Sequence, residues 1–175
     1  MTLALLVIIA LMWIPVGLLF LGKGEAKGTG AATALVGAIT IIGGILQVAV
    51  FKDAWVGAVL IAFGILYAVV AYALLAGLDD LKSVGNVALA VGIICAIYAI
   101  VFFTTGALGA DGKPAGPAPY FGFCFLAYTI LCLAVFLNAH GKCGAALVAW
   151  LLIIESVLNL WVPAFSLMVK GTLPF

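Results

Sequence analysis

Charged residues divide the chain into long segments that carry almost no charge. Six such segments occur, and the only charge inside any of them is Glu155. Each segment exceeds the ~20 residues that a helix needs to cross ~30 Å of hydrocarbon. The segments are apolar on all sides instead of alternating with period two, which excludes a β-barrel. The pattern predicts six transmembrane helices, at about 2–22, 28–51, 54–78, 83–108, 118–139 and 143–169.

The connections between these segments are short. Their sequences are KGEAK, KD, LDDLK, DGKPAGPAP and HGK. They leave no room for a soluble domain and contain no glycine-rich phosphate-binding loop, so an ATP-driven transporter is excluded. Residues 1–175 are therefore predicted to form one transmembrane domain, an all-α polytopic membrane protein with six helices in three consecutive hairpins. The first segment lacks a basic start and a clear cleavage site, so we predict a retained helix and not a signal peptide.

Composition supports an integral membrane protein. Hydrophobic residues make up 68% of the chain and charged residues 7%, and the mean hydropathy is +1.45. Every basic residue is a lysine, and the lack of a basic patch excludes nucleic acid as a partner. The positive-inside rule slightly favours external termini, because Lys23, Lys27, Lys82 and Lys142 lie on one predicted side and Lys52, Lys113 and Lys170 on the other.

Cysteine and histidine form no catalytic or metal-binding pattern. The single histidine, His140, lies in a short connection beside Lys142. Glu155 has no histidine or nucleophile at catalytic spacing, so an enzyme is the weakest interpretation and no metal or cofactor is predicted. The four cysteines are expected to be small apolar helix residues: Cys95, Cys124, Cys132 and Cys143.

Glu155 is the unusual residue of the last segment. An ionised carboxylate at the centre of a spanning helix costs about 2.5 to 3.5 kcal/mol on insertion scales, and such residues usually face a bundle interior or a wet path. Helical spacing places Asn159 and Ser166 on nearly the same face. The segment is therefore predicted to direct one polar stripe inward. A glutamate that only bonds a neighbouring helix is the alternative.

Aromatic residues recur at helical spacing in two other segments. Rings at this spacing are usually packing residues, but two aromatic faces opposite a carboxylate face also suit a narrow conduit for a small, flat, neutral solute. The fifth segment carries Phe121, Phe125, Tyr128 and Cys132, and the third carries Phe63 and Tyr67.

The last segment resembles a known signature. The sequence WLLIIESVLNLWVPAF, residues 150–165, is similar to the motif of the AmiS/UreI family of urea and short-chain amide channels. Leu66 with Tyr67, the GLD at 77–79, and the first connection with Lys23, Glu25, Lys27 and Thr29 resemble the same family. The similarity extends over essentially the whole chain.

This resemblance implies a passive channel of the bacterial cytoplasmic membrane. It implies that six protomers form a ring, that each has its own pore for urea or amides, and that a cytoplasmic urease or amidase uses the solute. By matching position it implies an inner constriction at Leu6, Ile9, Trp13, Phe125 and Glu155, and an outer constriction at Phe63, Tyr67, Tyr128, Leu131 and Cys132. Phe121 and Asn159, on the aromatic and polar faces, complete the predicted path.

The chain also departs from the acid-gated urea channels of this family. Those channels carry tryptophans along the fifth helix, so the path here is expected to be wider at Cys132 and to admit amides bulkier than urea. They also carry a histidine-rich external loop after the second helix, where this chain has only Lys52 and Asp53. We therefore predict an open channel without gating by external acid.

Two other classes of function stay open at this stage. A proton-coupled secondary amide transporter is the first alternative, because a membrane carboxylate also suits a proton relay. A structural or assembly subunit, in which the polar stripe only joins helices, is the second.

Overall fold

The computed structural model describes residues 2–107 and 113–173, and their regular structure is helical. Each of the six helices is long and apolar enough to cross a membrane, which confirms the predicted all-α, six-span fold of a multi-pass membrane protein. The predicted end of the fourth span, residue 108, lies outside the described residues. The helices are α1 Thr2–Phe20, α2 Ala26–Ala49, α3 Ala54–Ala76, α4 Lys82–Thr104, α5 Pro119–Ala139 and α6 Ala145–Lys170.

Successive helices run in opposite directions, so the connections alternate between two sides. The loop side contains the α1–α2, α3–α4 and α5–α6 connections, and the terminal side contains both chain ends and the other two connections. Polar and glycine residues of the connections define several helix ends. Glu25 and Asp53 accept backbone N–H groups at the starts of α2 and α3, and Gly77 ends α3 in the left-handed conformation at φ 66°.

The three predicted hairpins are present, since the first helix contacts the second, the third contacts the fourth and the fifth contacts the sixth. The most extensive contacts, however, join α2 with α3, α4 with α5, and α1 with α6. The predicted fold is confirmed, and the closest packing lies between the hairpins. Because α1 also contacts α2, the helices follow one another around a ring that the α1–α6 pair closes.

Glycines explain the close α2–α3 pair. A Cβ atom added to Gly57 would lie 2.9 Å from the carbonyl oxygen of Gly44, and one added to Gly64 would lie 3.2 Å from that of Gly37. The glycines recur at a spacing of seven on each helix, so the two backbones approach at two levels. Small residues are the usual means of close helix packing in lipid, where no hydrophobic force drives association.

The other two close pairs also have a glycine at the contact. A Cβ atom at Gly92 of α4 would lie 2.9 Å from the Cβ atom of Cys132 on α5. At Gly17 of α1 it would lie 2.9 Å from the carbonyl oxygen of Ala149 on α6. Each of the three closest pairs therefore has a glycine at its contact.

Polar groups inside the spans add specific links between helices. Gln47 of α2 donates to the Thr2 hydroxyl of α1, and the Tyr98 hydroxyl of α4 donates to the Trp55 carbonyl of α3 at 2.7 Å. Both bonds cross between helices. The Thr104 and Thr105 hydroxyls instead bond the backbone of their own segment.

Candidate conduction pathway

Three cavities lie between the helices and share lining residues. The terminal cavity, of about 220 Å³, is lined by the first turns of α1, α3 and α5 and by the C-terminal parts of α4 and α6. The central cavity, of about 80 Å³, shares Leu6, Phe125 and Tyr128 with it. The loop cavity, of about 90 Å³, extends to Leu19, Leu74 and Leu81 near the loop side. Together the cavities mark one pathway from side to side of the bundle.

An aromatic cluster separates the central cavity from the loop cavity. Trp13, Phe63 and Tyr67 line both. The Trp13 indole N–H donates to the Tyr67 hydroxyl at 3.0 Å, and Tyr128 packs edge-on against Trp13 with ring centroids 5.7 Å apart. These four rings, on α1, α3 and α5, form the aromatic constriction. A solute that passes it must lose most of its water.

The tyrosine hydroxyls along the pathway differ in what they bond. Tyr98 donates to the Trp55 carbonyl, Tyr128 to the Asn159 carbonyl at 3.0 Å, and Tyr120 lies 3.4 Å from the Leu158 carbonyl. Tyr67 accepts from Trp13, and its own O–H has no acceptor among the described residues. The hydrogen on Tyr67 is therefore available to a solute carbonyl at the aromatic constriction.

A π-helical segment in α6 provides the carbonyls that Tyr120 and Tyr128 use. It covers Ser156–Trp161 and is followed by Pro163. Proline has no N–H group, so a carbonyl about one turn before it loses its helical donor. The carbonyls of Leu158 and Asn159, about one turn before Pro163, are the ones that meet the Tyr120 and Tyr128 hydroxyls. The widened turn thus anchors α5 to α6.

The comparisons with known proteins agree with this architecture. The model of the AmiS/UreI family of transporters matches residues 1–171. The chain belongs to the AmiS/UreI family. A cryo-EM structure of the Helicobacter pylori urea channel in its closed state is similar, with a TM-score of 0.83 and 23% identity over 99% of this chain and 100% of that chain.

A second solved structure is similar to this AmiS/UreI protein. It is the crystal structure of the Helicobacter pylori urea channel, with a TM-score of 0.81 and 25% identity over 98% of this chain and 99% of that chain. No curated protein sequence matches significantly. The family and the similar structures are transporters and channels, not enzymes.

The structure places the predicted site residues along the pathway with one exception. All of them except Glu155 line one of the three cavities, although their role in permeation stays a prediction. Phe121 and Asn159 line the terminal cavity, Ile9 lines the central cavity, and Leu131 and Cys132 line the loop cavity.

The two predicted constrictions are not separate groups in this structure. Trp13, predicted at the inner one, bonds Tyr67 of the outer one. Leu6 and Phe125 lie toward the terminal side, and Cys132 lies toward the loop side. The lysine distribution favours external termini, which makes the terminal side the outer side. The constriction predicted as inner then lies toward the outside, and the one predicted as outer lies toward the inside. The two constrictions were assigned residue by residue from the resemblance to the family. Such an assignment does not show which residues of different helices contact each other.

Glu155 is buried beside the pathway. Its side chain is 4% exposed, and its Oε2 atom has no hydrogen-bond partner among the described residues. It lies near enough to Cys124, Tyr128 and Cys132 to interact electrostatically with them. Of the predicted stripe, Asn159 lines the terminal cavity and shares Cys124 as a neighbour with Glu155. Ser166 lies beyond the π-helical turn, and its hydroxyl bonds the Thr172 carbonyl.

Sequence reasoning missed several wall residues. Val59 and Leu60 line both the terminal and central cavities, and Tyr98 and Tyr120 line the terminal cavity. The aliphatic residues carry no signal that separates a pathway wall from a packing face. The tyrosines do carry such a signal, because a phenol in hydrocarbon needs a hydrogen-bond partner for its hydroxyl.

Charged residues collect at the loop side, next to the end of the pathway. The charged or titratable residues that line an open cleft there are Asp79, Asp80, Lys82 and His140. Leu81 lines both this cleft and the loop cavity. The Lys82 backbone N–H bonds the Asp80 carboxylate and holds the pKa of that carboxyl below its usual value. This cleft therefore stays hydrated and charged where the pathway meets the loop side.

Proposed function

We propose that this protein is a passive, selective channel for urea and short-chain aliphatic amides. The observation that carries the proposal is the aromatic constriction, where Tyr67 lines both the central and the loop cavity and its O–H group has no acceptor among the described residues. Membership of a transporter family and the fold of a urea channel support it.

The walls favour a neutral solute. No charged side chain lines any of the three cavities in the part of the chain that the structure describes. An ion would lose its hydration there without a compensating charge, whereas an amide that loses one hydrogen bond pays roughly 2–7 kcal/mol unless a partner replaces it. Tyr67 supplies a donor for the carbonyl oxygen. The ring faces accommodate a flat molecule.

The residues that line the loop cavity also favour the passage of amides in addition to urea. Cys132 and Leu131 form the α5 wall of the loop cavity, and neither is as large as an indole. The indole present, that of Trp13, gives its N–H to Tyr67 and not to the solute. We therefore propose that acetamide passes as well as urea.

We further propose that external acid does not gate this channel. The chain has one histidine, and His140 lies on the loop side with Nδ1 at 2.9 Å from the Phe136 carbonyl oxygen. With the termini external, this side faces the cytoplasm. The α2–α3 connection on the opposite side consists of residues 50–53 and contains no histidine, and Asp53 is used as a helix cap.

The assembly and setting proposed for the protein follow its family. We propose a hexameric ring in the bacterial inner membrane, with external termini and a functional link to a cytoplasmic amidase or urease. Large apolar side chains cover the outer faces of α2, α4 and α6 and provide surface for lipid or for neighbouring protomers, among them Leu35, Ile42, Ile97, Ile100, Leu158 and Val169.

Stopped-flow light scattering of proteoliposomes tests the channel proposal. We expect urea and acetamide gradients to relax about tenfold or more faster than in protein-free liposomes, equivalent to a barrier lower by about 1.4 kcal/mol. Potassium entry should stay at background. Urea and acetamide rates equal to those of protein-free liposomes would remove the proposal and favour an assembly subunit.

A pH gradient separates the channel from a proton-coupled carrier. Glu155 is the specific observation that favours the carrier, because it is the one carboxylate within the six predicted spans. We expect that an inward proton gradient does not accumulate labelled acetamide above equilibrium. We also expect Glu155→Gln, which has nearly the same shape, to retain downhill flux within about threefold, since a loss of under 1 kcal/mol is typical of volume-conserving changes. Uphill accumulation that this variant abolishes would establish the carrier.

A further inference from the structure

One wall of the terminal cavity consists of contiguous aromatic rings. Phe102 and Phe125 stack with ring centroids 5.5 Å apart and planes at 10°, and Phe125 also contacts Tyr98 at 4.9 Å. Phe121 packs on Phe102 at 5.5 Å, and Trp55 packs on Tyr98 at 5.1 Å. All five residues line the cavity. These five rings, here called the aromatic wall, belong to α3, α4 and α5 and are separate from the aromatic constriction.

Thr2 provides a hydrogen-bond donor in the same cavity. The buried Gln47 side chain donates an N–H to the Thr2 hydroxyl oxygen, so that oxygen already serves as an acceptor. In the described part of the chain the Thr2 O–H has no acceptor of its own. Because Thr2 lines the terminal cavity, its hydroxyl hydrogen is available to a carbonyl oxygen there.

Asn159 provides the second polar group of the cavity. Its side-chain oxygen lies 3.8 Å from the Cys124 thiol, a weak donor, and its N–H2 group has no partner within residues 2–107 and 113–173. A carboxamide side chain can pair with a ligand carboxamide through two N–H···O bonds. The tyrosine hydroxyls of the cavity, in contrast, bond backbone carbonyls of α3 or α6. Thr2 and Asn159 are therefore suited to hold the polar end of a ligand.

The volume of the terminal cavity suits a ligand with a single ring. Pockets for drug-sized molecules have volumes of roughly 300–1,000 Å³. A cavity of about 220 Å³ therefore fits a smaller molecule, such as one six-membered ring with one substituent. The central cavity has less than half that volume, about 80 Å³, and leads to the aromatic constriction. A molecule that fills the terminal cavity therefore does not fit into the next one.

We propose that the terminal cavity is a binding site for aromatic primary carboxamides, of which benzamide is the simplest. The ring packs on the aromatic wall, the carbonyl oxygen accepts from the Thr2 hydroxyl, and the carboxamide pairs with that of Asn159. No charged side chain lines the cavity in the ranges that the structure describes. Benzoate, which has nearly the same shape as benzamide, would be buried there without a counter-charge and is excluded.

Occupation of this site blocks the pathway at its terminal end. The bound ring fills the cavity through which a solute from the terminal side must pass to reach Leu6, Phe125 and Tyr128, the residues shared with the central cavity. Aromatic amides are therefore blockers, in contrast to the small amides proposed to pass. The block rests on the proposed channel function, whereas the binding does not.

Saturation-transfer NMR of benzamide with the protein in detergent micelles measures binding without flux. We expect a dissociation constant of about 1–10 mM, as a ligand of this size can provide, and no saturable signal from benzoate. Thr2→Val keeps the side-chain shape but removes the donor, so benzamide should bind about 2- to 10-fold more weakly. Asn159→Leu, which removes the carboxamide, should weaken binding at least as much.

Thr104→Val is the matched control for Thr2→Val. Thr104 is exposed near the same side of the bundle, and its hydroxyl donates to the Ile100 carbonyl of its own helix. It lines none of the three cavities. Benzamide should therefore bind to this variant as it does to the wild type.

Proteoliposomes test the block. Benzamide on both sides of the membrane, at its measured dissociation constant, should lower wild-type urea flux by about half, and benzoate should leave it unchanged. The same concentration should lower the flux of Thr2→Val by a smaller fraction of that variant's own rate.

Contrary results overturn the site or the block separately. No saturable benzamide binding, equal binding of benzoate, or wild-type affinity in Thr2→Val or Asn159→Leu would refute the site, and if one variant does not fold, the other decides. Binding without a fall in flux would refute the block. If untreated protein conducts no urea, the channel proposal fails, and the NMR titrations still decide the site.

Discussion

Replacing Gly57 by leucine is expected to prevent α2 and α3 from pairing and to leave little folded protein. Any Cβ atom at this position meets the Gly44 backbone oxygen at 2.9 Å, and a backbone atom cannot rotate away as a side chain can. Overpacking typically costs about 1–3 kcal/mol, and the backbone contact places this variant at or above the upper end. Size-exclusion profiles and melting temperature in detergent measure the loss.

Ala58→Leu is the matched control for this prediction. Ala58 is the next residue of α3, but it is exposed on the outer surface. Both variants place a leucine on the same helix, and leucine is among the better helix formers, so helix propensity does not account for a loss of stability in either. We expect Ala58→Leu to elute and melt like the wild type. A Gly57→Leu protein that does the same would show that the close α2–α3 approach is not needed for stability.

Tyr67→Phe is expected to reduce urea and acetamide flux by about 5- to 30-fold, the effect of raising a barrier by about 1–2 kcal/mol. The change removes the hydroxyl whose hydrogen is free for the solute, and it leaves the Trp13 N–H without its acceptor. Ring size and the packing of the aromatic constriction are retained. Stopped-flow rates, normalised to the amount of protein reconstituted, provide the measurement.

Tyr72→Phe controls for this prediction on the same helix. Tyr72 is 66% exposed on the outer surface of α3, away from the three cavities. We expect its flux to equal that of the wild type. Equal flux in Tyr67→Phe would mean that the solute passes without a donor at the aromatic constriction, and that the rings alone select it.

The sequence was sufficient to predict the spans but not which of them pack most closely. Stretches without charge have one stable solution in a membrane, a helix of the required length, so the six helices follow directly. Close packing depends on which faces meet. Gly44 and Gly57 are visible in the sequence as helix glycines, yet nothing there shows that they face each other and not glycines of α1 or α4.

For the site, the sequence likewise predicted individual residues but not the contacts between them. Aromatic spacing identified Phe63, Tyr67, Phe125 and Tyr128, because rings on one helical face share a wall. The bond from Trp13 to Tyr67 joins residues 54 positions apart, and only the fold shows it. The polar stripe of α6 was predicted for a regular helix. The structure has a π-helical turn over Ser156–Trp161, between Glu155 and Ser166, which changes the angle between those two positions.

The pairing of the first helix with the last has a consequence for biosynthesis. Of the six helices described, α1 is synthesised before the other five, but its closest partner, α6, is synthesised after them. The Trp161 N–H of α6 bonds the Val7 carbonyl of α1. Until α6 enters the bilayer, that flank of α1 and the Pro163 side of the terminal cavity have no protein cover. Nascent chains that stop short of the sixth span therefore expose this flank of α1 to lipid. The exposed flank distinguishes them from the complete bundle and makes them recognisable to quality-control proteases.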